Sequence, residues 1–261
     1  EVSREDVVPG INWSIINASL LSAPAPSLLA ASPHASNNVP SNDYAEWIRR
    51  YDTLDETGRQ RMREIIAGLL HRPVLSVVMP VYNPPLDLLD QCIWSVRNQI
   101  YPDWELCIAD DASPNAAVRE LVKRHAEQDA RIKFVFRPIN GHICAASNSA
   151  LELASGEYVV LLDHDDLLAE HALFWVAEAI NKYPDAALIY SDEDKITETG
   201  KRYDPYFKCD FNYELMLAQN MICHLGTYKR SLVNELGGFQ VGLEGAQDYD
   251  LAFRVIENIA T

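Results

Sequence analysis

The chain has 261 residues, 48% of them apolar, enough for one large α/β domain with an appendage and a substantial core. Its 22 basic residues against 38 acidic ones leave a net charge of −16, which would repel a phosphate backbone, so nucleic acid is not an expected partner. A single nucleoside diphosphate is not excluded, because a bound metal ion inverts the local electrostatics of a carboxylate cluster.

The five cysteines (Cys92, Cys107, Cys144, Cys209 and Cys223) are odd in number and never spaced as CxxC. That pattern argues against a disulfide framework or a zinc ribbon and fits a reducing cytosol. The most apolar early stretch, residues 11–31, is interrupted by Pro24, Pro26 and several serines and reads as no membrane anchor. Residues 20–43, rich in Ala, Pro, Ser and Asn, read as a linker, so that residues 1–43 form an N-terminal extension. The chain begins without methionine and stops inside a helical pattern, so further domains or partners beyond its ends are expected.

Residues 44–72 read as two lead-in helices, with Thr53 as an N-cap and Glu56 three residues later. From residue 73 onward, short β-rich runs alternate with amphipathic stretches. LSVVM is followed by a helix over 86–98, WELCIAD by a helix over 116–127, and IKFVF by a helix over 144–153. EYVVLL then precedes a helix over 170–181, and AALIYS closes the series. This alternation predicts a mostly parallel, doubly wound α/β sheet in residues 73–261, with its ligand beyond the carboxyl ends of the strands.

The polar residues fall at those strand ends. Pro80-Val81-Tyr82-Asn83 follows the first strand and Asp110-Asp111-Ala112-Ser113 the second, although Asp and Ser there also serve as N-caps of the next helix. Asp163-His164-Asp165-Asp166 places three carboxylates within four residues. Such a cluster is favourable chiefly when a hard cation such as Mg2+ or Mn2+ neutralises it, and three acids exceed what one helix dipole needs. Ser191-Asp192-Glu193-Asp194 is a third acidic strand end, or a solvated turn. Near the C-terminus Asp248 falls in the first turn of a helix, with Asp250 the competing acid. No GxxxxGK[ST], GxGxxG, GxSxG or HExxH pattern occurs, which removes P-loop, dinucleotide, serine-hydrolase and zincin readings.

SVVMPVYN, WELCIADDAS, the Asn-Gly pair before AASNSALELASGEYVVLLDHDD, and GGF with EGAQDYDL occur here in one order. Together they resemble family 2 of the inverting glycosyltransferases, over roughly residues 73–257. The resemblance implies a GT-A fold and a metal-dependent, inverting hexosyl transfer from a UDP- or dTDP-sugar to a hydroxyl of a glycan or lipid-linked acceptor. It implies that Pro80, Val81 and Tyr82 border the nucleotide base, that Asp110 accepts a hydrogen bond from it and that Asp111 is a secondary candidate. Asn140, Gly141 and His142, with Ser147 and Asn148, correspond to the part flanking base and ribose.

Asp163 and Asp165 match the family's DxD motif, with Asp165 the favoured metal ligand, Asp163 nearer the ribose, Asp166 supporting and His164 in the variable position. Gln247 stands where the family usually has Glu, and Asp248 takes the place of the catalytic base. Relatives often carry a metal-binding histidine downstream of this helix, and His224 is the candidate here. YSDEDK and the QN(x)3HL spacing from Gln219 to His224 are similar to bacterial enzymes of cell-surface polysaccharide synthesis, which implies a cytoplasmic chain working at the inner face of the membrane. The alternatives are a non-catalytic nucleotide-sugar-binding module and a sugar nucleotidyltransferase, whose glycine-rich, lysine-bearing N-terminal loop is missing.

Overall fold

The computed structural model describes residues 13–16 and 41–260. It opens with a short strand, β1 (Trp13–Ile16), and two helices, α1 (Ser41–Tyr51) and α2 (Glu56–Gly68). The cap of α2 is Asp55, whose side chain accepts from the Gly58 amide at 2.7 Å. Thr53, expected in that role, instead donates its hydroxyl to the Ile48 carbonyl near the end of α1, because the helix begins two residues later than its Thr-x-x-Glu spacing implied. The expected N-terminal extension lies outside the described residues except for β1 and the start of α1.

The alternating region then runs β2 (Leu75–Val81), α3 (Leu86–Arg97), β3 (Trp104–Asp110), α4 (Ala116–Gln128), β4 (Ile132–Phe136), α5 (His142–Leu151), β5 (Tyr158–Leu161), α6 (Ala172–Lys182) and β6 (Leu188–Ser191). Every residue of β2 and β3 is buried, as expected of parallel strands covered on both faces. The period of two separates the layers. Leu75, Val77, Met79 and Val81 face a core with Leu89, Ile93 and Val96 of α3 and Phe174 and Ile180 of α6. Val78, with Val159 of β5, faces a second core with Cys144 and Ala150 of α5. Among the described residues no disulfide joins the cysteines.

Past β6 come a hairpin of β7 (Glu193–Ile196) and β8 (Arg202–Tyr206), then α7 (Tyr213–Ala218), β9 (Thr227–Lys229), α8 (Arg230–Glu235) and α9 (Gln247–Ala260). The main sheet has the order β1-β6-β9-β5-β2-β3-β4, and the hairpin forms its own two-stranded sheet. The pairs β5–β2, β2–β3 and β3–β4 are parallel, whereas β9 runs antiparallel to both β5 and β6, and β1 pairs antiparallel with β6. The chain builds outward from β2 to β4 and then crosses to β5 on the other flank. The reversal opens a crevice beyond the ends of β2 and β5, where such sheets bind ligands.

The lead-in helices are fixed to this body by charge. Asp52 is buried between His171, at 3.1 Å, and Arg202, while Arg202 also meets Asp194 at 2.5 Å. Arg59 forks onto Glu170 at 2.9 and 2.8 Å, and Trp47 lies edge-on to Phe207.

At the opposite end of the strands from the crevice, Glu105 ties three strands together. It meets Lys133 at 2.5 Å and accepts from the hydroxyls of Ser76 and Ser155 at 2.7 and 2.8 Å. Burial pushes its carboxyl up, but Lys133, the Ser155 amide and the hydroxyls outweigh burial and hold it at about 2. A depressed carboxylate stabilises the fold above its unfolded pKa and loses that contribution as pH falls through its folded pKa. Glu105→Gln is therefore expected to cost about 2–3 kcal/mol at pH 7, since it leaves a partly buried ammonium without its partner. Urea unfolding should show the gap between wild type and variant shrinking from pH 4.5 down to pH 2; a gap independent of pH would contradict this.

Candidate functional site

Parallel strands end on one side, so the polar segments after β2, β3 and β5 meet at the crevice. Four non-glycine residues with left-handed backbone sit in its walls or turns: Asn83 (φ 46°), Ala112 (φ 60°), His142 (φ 64°) and Cys223 (φ 39°). Conformations of this kind cost energy and concentrate where a fold holds a ligand-binding shape.

The turn after β3 divides its two acids. Asp110 is fully buried, accepting from Arg119 Nε at 3.0 Å and from the Ser113 amide at 3.2 Å, so it braces the turn. Asp111 accepts from Arg137 Nε at 2.7 Å and from the Gly141 amide at 3.0 Å, and Asn140 donates to its carbonyl at 3.2 Å. A Cβ on Gly141 would lie 2.7 Å from the Arg137 guanidinium, so a larger residue there would have to displace the group that holds Asp111. Asp111, rather than Asp110, lines a cavity of about 490 Å³ with Pro80, Val81, Tyr82, Asn140, His142, Asp163, His164 and Asp165.

A second cavity, of about 210 Å³, shares Pro80, Ile143 and Asp163 with the first and continues to Ser147, Cys223, His224, Phe239, Gln247 and Asp248. Asn148 lines neither cavity. Its amide clasps the backbone of Phe239, accepting from its N–H and donating to its carbonyl, both at 2.8 Å. This clasp needs the left-handed Gly238 (φ 71°), because a Cβ there would stand 2.5 Å from Asn148 Oδ1.

Where the cavities meet, the turn after β5 closes with the Asp166 amide donating to the Asp163 carbonyl at 3.2 Å. That i to i+3 closure brings the side chains of Asp163 and Asp166 together, and His224 joins them: one ligand atom from each lies within 4.8 Å of the others. Asp165 is exposed on the rim of the larger cavity, outside this group, and His164 Nδ1 lies 3.2 Å from the Pro80 carbonyl, pinning the turn to β2. Burial, and then neighbouring acids, push Asp163 and Asp166 up, while His224 opposes the rise in both. Two carboxylates and an imidazole suit Mn2+ or Mg2+, whose octahedral ligands stand about 3–4 Å apart, so the residues present fit such an ion after a small closure.

On the other wall, Asp248 sits in the first turn of α9 with Oδ2 accepting from Asn220 at 2.7 Å. Gln247 accepts from the Gly245 amide at 2.7 Å. Asp250 points away into a pair with Arg254 at 2.7 Å, which leaves Asp248 as the acid on the cavity. Asp192 accepts from the Lys208 amide at 2.7 Å beneath the hairpin. Two participants were not singled out from sequence, Asn220 and the buried Lys208; Glu193, part of the third acidic strand end, meets Lys208 at 2.9 Å and takes the His224 amide at 3.0 Å. Only the QN(x)3HL spacing hinted at the first.

Comparison with known proteins bears on the family and the fold. The model of glycosyl transferase family 2 matches residues 76–237, ending short of α9 and Asp248. The chain is 50% identical over 216 residues to an uncharacterized protein, y4gI, of Sinorhizobium fredii, covering 83% of this chain and 24% of that protein. It is 33% identical over 215 residues to the O-antigen biosynthesis protein RfbC of Myxococcus xanthus, covering 82% and 17%. The chain thus spans about a quarter or less of the length of these relatives.

Among solved structures, TarS 1-349 of S. aureus in complex with UDP-GlcNAc superposes with a TM-score of 0.56 at 20% identity, covering 70% of this chain and 53% of that one. The mannosyltransferase PcManGT of Pyrobaculum calidifontis, in complex with GDP-Man and Mn2+, superposes with a TM-score of 0.52 at 22% identity, covering 76% and 59%. These likenesses carry the fold, which is the GT-A fold expected from the motifs. With the family model covering most of its length, the chain belongs to glycosyl transferase family 2.

Proposed function

We propose that the chain moves a sugar from a nucleoside-diphosphate sugar, UDP- or dTDP-linked, to a hydroxyl of a glycan or lipid-linked acceptor, inverting the anomeric carbon. The observation that carries this reading is the pair of cavities sharing a wall at Asp163, one lined by Tyr82 and Asp111 and the other by Asp248. The first suits a base and ribose, the second a hexose with an incoming hydroxyl. The names of RfbC and of the chondroitin synthase of Escherichia coli, 29% identical over 73% of this chain, support a polysaccharide product. The nucleotide sugars bound by TarS and PcManGT support the donor class. The setting proposed is the cytoplasm at the inner face of the membrane; among the described residues no helix is long and apolar enough to cross one.

In this mechanism Tyr82 and Asn140 border the nucleotide, and Asp111, on the cavity wall, accepts from the base while Asp110 keeps the turn in shape. Asp163, Asp166 and His224 would hold Mn2+ or Mg2+, with Asp165 at the rim as a further ligand once the donor binds. When bound, the ion neutralises charge developing on the departing diphosphate. Asp248 takes the proton of the acceptor hydroxyl as its oxygen attacks the anomeric carbon, and the C–O bond to the diphosphate breaks in the same step. No enzyme-linked intermediate is needed.

Two measurements test this. Thermal unfolding with UDP, dTDP, GDP and CDP, each with and without Mn2+, is expected to show a metal-dependent rise of about 5 °C or more with UDP or dTDP at saturating ligand. His224→Ala and Asp163→Ala should abolish that rise; a shift with no metal requirement, or none with any nucleotide, would contradict the donor site. Asp248→Asn is expected to bind nucleotide as wild type does while transfer falls about 10²- to 10⁴-fold. Full transfer by that variant would move the base elsewhere, and wild-type nucleotide binding without turnover would favour a non-catalytic module.

A further inference from the structure

The geometry points to Asn220 as a positioning residue that ties the His224 loop to Asp248, so that both sides of the smaller cavity are set by one side chain. This rests on the reading of His224 and Asp248 given above. Asn220 is half-buried just past the end of α7, and both ends of its amide are engaged. Its Nδ2 donates to Asp248 Oδ2 at 2.7 Å, and its Oδ1 accepts from the amides of Ile222 and Cys223 at 3.1 and 3.3 Å.

Those two amides lead into the left-handed turn at Cys223, after which the next residue, His224, lies toward Asp166, with Nε2 3.4 Å from Oδ2. On the far side the loop is already held: Lys208 Nζ donates to the Ile222 carbonyl at 2.7 Å, and Ser191 Oγ accepts from the Leu225 amide at 3.1 Å. Asn220 supplies the hold that faces the cavity. It also occupies one oxygen of Asp248, leaving Oδ1 for an incoming hydroxyl.

The chemistry of the amide explains why asparagine stands here. An aspartate would keep the acceptor for the two backbone amides but set a carboxylate against Asp248. Leucine would fill the space and offer neither bond. A carboxamide donates to an acid at one end while its oxygen accepts from both backbone amides at the other.

The test is hydrogen exchange over residues 220–224 of the whole chain, paired with Mn2+ titration followed by electron paramagnetic resonance. Asn220→Ala is expected to speed exchange of the Ile222 and Cys223 amides roughly tenfold and to weaken Mn2+ binding roughly tenfold. Asp248→Ala should speed exchange at the same two amides, although it bonds neither. The exchanged pair, Asn220→Asp with Asp248→Asn, reverses the donor and acceptor, and it should restore the protection that Asn220→Asp alone loses. If Asn220→Ala fails to fold, this pair carries the test.

Wild-type protection in Asp248→Ala, or an exchanged pair no better protected than Asn220→Asp, would overturn the proposal. Absence of Mn2+ binding by the wild type would instead count against the metal-dependent reading of the site, and the exchange data would still decide the role of Asn220.

Discussion

Holding Asp163 and Asp166 side by side at the end of a buried strand, with Asp248 across the cavity, costs the folded chain electrostatic energy that packing must offset. Burial and neighbouring acids push Asp163 and Asp166 toward their neutral forms, and the imidazoles of His224 and, at Asp163, also His164 work against that rise. A site under such tension gains most from a cation, because a divalent ion converts repulsion among the acids into shared attraction. The surrounding architecture can be understood as the means of keeping the acids in place when no ion is bound. β5 is locked between β2 and β9, His164 pins the turn to β2, and Lys208, Glu193 and Ser191 grip the loop that carries His224.

The reversal in strand order does the rest. Because β2 lies between β3 and β5, the segments leaving β2 and β5 part company and leave a crevice, with Pro80 on one side and Asp163 on the other. The β3 turn adds Asp111, and α9 approaches from the second face to add Asp248. Two neighbouring compartments result, one roomy and open to the base-side turn, one smaller and lined by the acid that faces it. On the proposed function, that division separates where a donor would be held from where a proton would be taken, as a single-displacement transfer requires.

Much of this was legible in the sequence, for identifiable reasons. Strands buried on both faces are unbroken apolar runs, so LSVVM and WELCIAD stand out, and the acids that follow them fall at the crevice by topology alone. The hairpin Glu193–Ile196 with Arg202–Tyr206 was not legible, because EDKI and RYDPY are polar and half-exposed and are organised by ion pairs with each other and with residues far away in the chain. Nor could spacing tell Asp110 from Asp111, since which of two adjacent acids meets the cavity depends on the left-handed turn at Ala112. The same holds for Asp165 and Asp166: a turn that closes from Asp166 to Asp163 makes i and i+3 neighbours and leaves Asp165 at the rim. Asn220 meets Asp248 across 28 positions, a contact only the fold can make.

The central claim is that Asp163, Asp166 and His224 form one cation site between the two compartments. Crystals grown with Mn2+ and UDP, with data collected at the manganese absorption edge, test it most directly. The account predicts a single strong anomalous peak bounded by those three side chains and in contact with the diphosphate. A peak placed elsewhere, or one whose ligands leave out His224, would contradict it.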